Sequence, residues 1–124
     1  MRRTVSVLVA IVAALGALAG LGACSAAPGA AAVPAGAVVI DVRTPAEYAA
    51  GHLAGAVNID IQAADFTARI GKLDRNGQYL LYCRSGSRAG VAKTQMTGMG
   101  FTHVTNLGSI DAAAKATGLA VVTG

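Results

Sequence analysis

Short apolar runs alternate with segments of helical periodicity through most of this chain. Val38–Ile40 is a continuous β-branched run, which is typical of a strand that is buried on both faces. The patterns at residues 56–59, 78–82 and 103–106 predict three further strands. Strands that alternate with helices predict an α/β fold in which a parallel β-sheet carries helices on both faces.

Helix signals fill the intervals between these strands. Thr44–Glu47 combines a capping threonine, a proline at the first helical position and a glutamate three residues on, so a short helix is predicted that ends at Gly51. Apolar residues at helical spacing predict an amphipathic helix over 62–73. The pattern over 88–100 predicts a third helix that ends in a glycine, and residues 110–117 suit a last helix.

The first 23 residues have the pattern of a secretory signal. Two arginines form a positive n-region, and the run Val5–Leu21 that follows carries no charge. The end of this run, Leu21–Cys24, resembles the bacterial lipobox, a processing site that leaves its cysteine as an acylated N-terminus. We therefore predict a lipoprotein-type signal peptide over residues 1–23, with lipid attached to Cys24.

Residues 24–36 are almost all alanine, glycine and proline, so they predict a tether between the lipid and a folded domain over 37–124. The expected location is outside the cytoplasm, on a membrane that faces the periplasm or the cell exterior. Three alternatives stay open: a plain signal cut at residues 30–32, an unmodified Cys24, and an uncleaved membrane anchor.

The net charge bears on the class of partner. The formal charge of the whole chain is +4, but two of its ten basic side chains lie in the predicted signal peptide, so the remainder carries +2. No basic block or aromatic stripe accompanies this charge. We therefore expect no nucleic-acid partner. Because the domain is small and has one thiol, we expect a monomer, and its contact with the membrane is expected through the lipid anchor.

The segment Cys83–Arg88 carries the strongest chemical signal. It follows an apolar strand pattern and precedes a helical one, so its backbone N–H groups and the helix N-terminus should converge on one spot. A thiol in that field ionises more easily than a free thiol, and the thiolate is the reactive form. With Cys24 acylated, Cys83 has no intramolecular disulfide partner. Cys83 is therefore a candidate nucleophile, and the alternative is a small buried cysteine before a turn.

Three stretches together resemble the rhodanese-like domain family. Asp41–Tyr48 followed by Gly51–Ile59 resembles the first signature of the family. Cys83–Arg88 resembles its active-site loop, and residues 100–110 resemble its closing segment. The resemblance covers roughly residues 37–118 and is especially similar to the small exported single-domain rhodaneses of the phage-shock type.

The resemblance implies a thiosulfate sulfurtransferase. Cys83 would take sulfane sulfur from a donor such as thiosulfate, become a persulfide, and pass the outer sulfur to cyanide or a thiol. The rest of the loop would bind the anionic donor through guanidinium groups and backbone N–H groups; these residues are Arg84, Ser85, Gly86, Ser87 and Arg88. No metal or organic cofactor is required.

Other polar residues receive supporting interpretations. Asp41 and Arg43 match family positions, and we predict that they orient a strand end near the loop. Glu47 is expected either to pair with Arg43 or to be solvated. His52 matches a recurrent family histidine and is interpreted as a hydrogen-bonded structural residue, and His103 as an exposed residue at a strand start. The two histidines and the one free cysteine lack the spacing of metal ligands.

The length of the loop distinguishes two classes of cysteine enzyme. Four residues separate Cys83 from Arg88, a spacing typical of sulfurtransferases, whereas cysteine-dependent phosphatases have five. The spacing therefore argues against a phosphatase.

A non-enzymatic role stays open beside the enzyme. A persulfide carrier or docking module for a protein partner, with little small-molecule turnover, would need the same loop. Family members often carry an aromatic residue after the closing glycine segment, but residues 108–112 contain none, so the acceptor is not determined.

Overall fold

The computed structural model of the protein describes residues 33–124. Its central sheet contains four parallel strands in the order β3-β1-β4-β5. A two-stranded antiparallel ribbon, β2-β6, lies beside it. In chain order the elements are β1 (Val38–Asp41), α1 (Pro45–Ala50), β2 (His52–Leu53), β3 (Val57–Asn58), α2 (Phe66–Gly71), β4 (Gln78–Cys83), α3 (Ser87–Gly98), β5 (His103–Ser109), α4 (Ile110–Thr117) and β6 (Val121–Val122).

Both faces of the central sheet are buried, and successive residues of β1 and β4 point to opposite faces. Ile40 and Leu81 belong to one apolar cluster, which also contains the buried residues of α2 and α3. Val39 and Leu80 belong to a second cluster, which also contains Ala113 of α4 and Leu53 of the ribbon. The predicted α/β fold, a parallel sheet with helices on both faces, is confirmed.

The amphipathic helix predicted over 62–73 is shorter, because α2 spans only Phe66–Gly71. The residues of its predicted first turn form successive turns instead: the Ala63 N–H donates to Asp60 O and the Phe66 N–H donates to Ala63 O, both at 3.1 Å. The Gln62 N–H then bonds the Asp60 carboxylate at 2.8 Å, and this turn delays the helix.

The antiparallel ribbon was not predicted. Each of its strands has only two residues, and one follows α1 whereas the other lies at the far end of the chain. Pairs this short leave no periodicity to detect, since a strand pattern needs four or more residues.

The predicted signal peptide and Cys24 lie outside the described residues. Of the predicted tether, residues 33–36 are described, and Val33 packs against the second apolar cluster. The Ala37 N–H donates to Pro34 O at 3.0 Å and leads the chain into β1. Within residues 33–124, no helix is both long and apolar enough to cross a membrane.

Candidate active site

The Cys83 loop joins the carboxyl end of β4 to the start of α3. Cys83 is the last residue of β4, and Gly86 caps α3 in the left-handed region with a φ of 95°. A side chain at Gly86 would be strained at this φ, and its Cβ would lie 3.1 Å from Gly108 Cα. The loop therefore requires glycine at this position for both conformation and space.

Asn106 of β5 holds the loop in place. Its Nδ2 donates to Gly86 O at 3.0 Å, and its Oδ1 accepts from the Gly108 N–H at 2.8 Å. One amide side chain thus bridges the loop and the closing glycine segment. The role of Asn106 was not predicted, because its position in the sequence is that of an ordinary strand residue. The role becomes visible only when the register of β4 and β5 is known.

The Cys83 thiol lies inside a ring of backbone N–H groups. Its residue has no exposed surface, and the Gly86 N–H donates to Sγ at 2.9 Å. Burial by itself raises the pKa of this thiol. The backbone N–H groups of Ala89, Ser85, Gly86 and Arg88 together outweigh burial, so the pKa of Cys83 is lowered from its ordinary value. This arrangement favours the thiolate.

Arg88 forms a two-pronged ion pair with Glu47 across 41 residues of sequence. Nη1 and Nη2 donate to the two carboxylate oxygens at 2.7 and 2.9 Å. Glu47 also completes a capping box with Thr44, whose N–H donates to Oε2 at 3.1 Å. The hydrogen bond from Arg88 is the largest cause that lowers the pKa of Glu47 to about 2, with burial opposing it and Thr44 assisting.

The expectation for Glu47 was therefore wrong. Glu47 neither pairs with Arg43 nor is left to solvent, because the Arg43 guanidinium is already occupied by Asp41. The Glu47–Arg88 pair ties the start of α1 to the start of α3. It also neutralises one of the two guanidinium groups that the sequence offered to an anionic donor.

Asp41 and Arg43 form a buried pair at the carboxyl end of β1. Arg43 Nη2 donates to Asp41 Oδ2 and to Gly51 O, both at 2.6 Å, and Nε donates to Oδ1 at 3.0 Å. The guanidinium carbon lies 5.6 Å from the ring centroid of Tyr82, the residue before Cys83. These contacts join the end of β1 to the residues around α1 and to β4. The supporting role of Asp41 and Arg43 stays a prediction.

Arg84 differs from Arg88. Its side chain is exposed, and it forms no ion pair within the described part of the chain. It lines an open cleft of about 510 Å³ together with residues of α1 and the first turn of α4, including Ile110 and Asp111. Arg84 is therefore the loop cation that remains available to an anion.

The two loop serines present little beyond their backbone. Ser85 and Ser87 are exposed, and their hydroxyls lie 3.3 Å apart. Ser87 begins α3, so its N–H belongs to the first turn of the helix. The loop thus offers an anion mainly main-chain donors and the Arg84 guanidinium.

The two histidines are placed as predicted. His52 is buried, its Nδ1–H donates to Tyr48 O at 2.8 Å, and its ring stacks on that of Tyr48 with centroids 3.6 Å apart. His103 is exposed at the first residue of β5. Within residues 33–124, no group of three or more histidine, cysteine or carboxylate side chains could hold a metal ion.

Comparison with known proteins gives consistent matches. The family model described as a rhodanese-like domain matches residues 28–116. The thiosulfate sulfurtransferase PspE of Escherichia coli is 37% identical over 71 residues, which are 57% of this chain and 68% of the relative. The thiosulfate sulfurtransferase GlpE of Pseudomonas entomophila is 40% identical over 70 residues, 56% of this chain and 62% of the relative, slightly under two thirds of its length.

Solved structures agree with these sequence matches. A rhodanese from E. coli, solved with anions, superposes with a TM-score of 0.61 at 33% identity and covers 71% of this chain and 99% of that one. The Alr3790 protein of Anabaena superposes with a TM-score of 0.62 at 27% identity, over 72% of this chain and 69% of that one. The structural similarity thus covers about 70% of this chain.

Proposed function

This chain belongs to the rhodanese-like domain family, and on that premise we propose that it is a sulfurtransferase that moves sulfane sulfur from thiosulfate to cyanide or a thiol through a persulfide on Cys83. The observation that carries the proposal is the ring of backbone N–H groups around Cys83 Sγ, which lowers the pKa of the thiol despite burial. The relatives named as thiosulfate sulfurtransferases support the choice of donor.

In the first step the Cys83 thiolate attacks the outer sulfur of thiosulfate. A bond forms between Sγ and this sulfur, the S–S bond of thiosulfate breaks, and sulfite leaves with the electron pair. Three negative charges enter and three remain, one on the persulfide and two on sulfite. The loop N–H groups that surround Sγ, with the exposed Arg84 guanidinium at the edge of the loop, would stabilise this charge.

In the second step the acceptor removes the outer sulfur. Cyanide attacks it, the S–S bond to Sγ breaks, and the electron pair stays on Cys83 while thiocyanate leaves. Since Cys83 has no exposed surface before the reaction, we expect the loop to open toward the cleft as each reactant arrives.

Intact mass of the full chain, purified in detergent, tests the proposal. Thiosulfate should add one sulfur atom that cyanide then removes as thiocyanate, and Cys83→Ser should gain none. An accessible, alkylatable Cys83 that gains no sulfur would overturn the thiosulfate reaction. Persulfide that forms but turns over with cyanide only negligibly would instead identify a persulfide carrier for a protein partner.

We propose further that the protein is exported and held on a membrane by lipid on Cys24, with residues 1–23 removed and residues 24–36 acting as a tether. The charge-free run after two arginines and the lipobox-like Leu21–Cys24 support this proposal. Cys24→Ser should move the protein from the membrane to the soluble fraction, and Ser25→Ala is the matched control. A Cys24→Ser protein that stays on the membrane with its usual mass would contradict lipid attachment there.

A further inference from the structure

The cleft beside the loop lies over the carboxyl ends of three strands. Cys83 of β4 is the register partner of Ser109, so the next two residues, Ile110 and Asp111, begin α4 beside the loop. On the other side the Val42 N–H donates to Tyr82 O at 3.2 Å, which brings the end of β1 to the same edge. The cleft of about 510 Å³ is lined by Arg84, the residue that follows Cys83, so it lies beside the loop that holds the reacting sulfur.

The charged groups of this cleft are not equivalent. The Arg43 guanidinium is taken up by Asp41, and the Glu47 carboxylate by Arg88. Arg84 and Asp111 are the two charged lining residues that form no ion pair within residues 33–124, and both are exposed. Among the residues that the structure describes, the cleft thus offers one cation and one carboxylate that form no ion pair.

The carboxylate in this cleft has no evident role in binding thiosulfate or cyanide. Both are anions, so they suit Arg84 but are repelled by Asp111. The volume of the cleft falls within the range that holds small organic ligands, about 300–1,000 Å³. Ile110 and Ala50 add apolar wall that could contact a carbon skeleton. A second reactant that is organic and carries a positive group fits these features.

We propose that the cleft selects a small acceptor thiol that carries an ammonium group, with Asp111 as the specificity-determining residue that binds the ammonium. A carboxylate on the same molecule, where present, lies toward Arg84. This inference rests on the proposed function, because an acceptor is needed only once Cys83 carries a persulfide.

The transfer itself needs no further reactant. The sulfur of the acceptor attacks the outer sulfur of the Cys83 persulfide anion, and the S–S bond to Sγ breaks. The electron pair stays on Sγ, which regenerates the thiolate. The thiol proton of the acceptor ends on the product, a small-molecule persulfide.

The test uses the full chain in detergent, charged with thiosulfate and, in parallel, with inorganic polysulfide. The persulfide is quantified by intact mass and discharged by cysteine, cysteamine, N-acetylcysteine or 2-mercaptoethanol at equal thiolate concentrations. Cysteine and cysteamine should discharge it about two- to fivefold faster than the two thiols without an ammonium group, the range expected of one exposed ion pair. Equal rates for all four would overturn the inference.

Asp111→Asn should remove this preference while speeding discharge by cyanide, since a repelling charge is lost. Asp65→Asn is the matched control, because Asp65 is also exposed but lies outside the cleft and its side chain makes no capping bond. If the Asp111→Asn variant still preferred thiols with an ammonium group, another residue would cause the preference, and the role of Asp111 would be overturned. Charging by polysulfide alone would contradict the thiosulfate donor, and the acceptor series would still decide this inference.

Discussion

The Cys83–Arg88 loop and the supporting segment, residues 41–52, meet at one edge of the sheet but use different parts of the polypeptide. The loop surrounds its sulfur with backbone N–H groups, whereas its two serine side chains make only weak contacts with each other. The supporting segment works through side chains, in the pairs Asp41–Arg43 and Glu47–Arg88. Substitutions that remove a side chain should therefore have larger effects in the supporting segment than in the loop. In the loop, substitutions that change the backbone conformation should have the larger effects.

The two loop arginines differ in whether the supporting segment binds their guanidinium groups. Arg88 lies in the loop by sequence, but its guanidinium is held by the supporting segment. Arg84 remains free for an anion within the described part of the chain. The loop therefore carries less free positive charge than its sequence indicates, which suits a site that must also release sulfite.

The largest effect on stability is expected for Asp41→Ala. The substitution leaves the Arg43 guanidinium buried without its carboxylate, and breaking such a buried pair costs about 3–5 kcal/mol. Urea denaturation followed by circular dichroism measures the free energy of unfolding. The double variant Asp41→Ala/Arg43→Met should recover part of the loss, because it removes the uncompensated charge. A loss below about 1 kcal/mol for Asp41→Ala would contradict a buried, mutually dependent pair.

Gly86→Ala should be the most damaging single-methyl change in the loop. The left-handed φ and the 3.1 Å approach of Gly108 Cα force the backbone to shift, which moves the Gly86 N–H away from Sγ. We expect about a 100-fold slower persulfide formation, the scale of losing one preorganised donor. Rapid-quench intact mass with thiosulfate measures this rate.

Gly98→Ala is the matched control for that change. Gly98 ends α3, and a Cβ there would meet nothing within 4 Å. The control should keep the wild-type rate and gain up to about 1 kcal/mol of stability. Equal rates for the Gly86→Ala and Gly98→Ala variants would show that the loop conformation does not control the chemistry.

Glu47→Gln tests the ion pair that connects the loop to the supporting segment, through the pH dependence of the free energy of unfolding. The pKa of Glu47 is lowered to about 2 in the folded protein, so its stabilising effect is complete above its ordinary pKa and is lost as the pH falls through the interval down to about 2. Because the pair is partly exposed, we expect the variant to lose about 1 kcal/mol at pH 7. The difference from wild type should shrink below about pH 4.

Urea unfolding at pH 7 and at pH 3 measures this difference, with Asp65→Asn as the control that should show no such change between the two pH values. A Glu47→Gln deficit that is equal at both pH values would mean that the contribution of Glu47 is not electrostatic.

The sequence carries the local features of this site better than its long-range contacts. The capping box at Thr44, the exposed His103 and α4 over Ile110–Thr117 are all encoded within a few neighbouring residues, and each was predicted. The Glu47–Arg88 pair was not, because 41 residues separate its partners and it depends on where α1 and α3 pack.

The same limit applies elsewhere in the fold. The bridging role of Asn106 and the two-residue ribbon strands depend on register between distant segments, which no local pattern states. The family resemblance located the chemistry in the loop. It did not reveal that Arg88 is neutralised or that Asp111 faces the same cleft as Arg84.

The smallest effects are expected for Ser85→Ala and Ser87→Ala, although both residues lie within the loop. Their hydroxyls are exposed and contact mainly each other, at 3.3 Å, while their N–H groups stay in place when the side chain is shortened. Each variant should form the persulfide within about fivefold of the wild-type rate, since an exposed neutral hydrogen bond contributes about 1 kcal/mol or less. Ser85→Pro is the contrasting variant, because it removes the Ser85 N–H that lowers the pKa of Cys83. It should raise that pKa, measured from the pH dependence of alkylation. Persulfide formation that is tenfold slower in Ser85→Ala, together with an unchanged Cys83 pKa in Ser85→Pro, would contradict this expectation. The loop would then act through its side chains and not through its backbone.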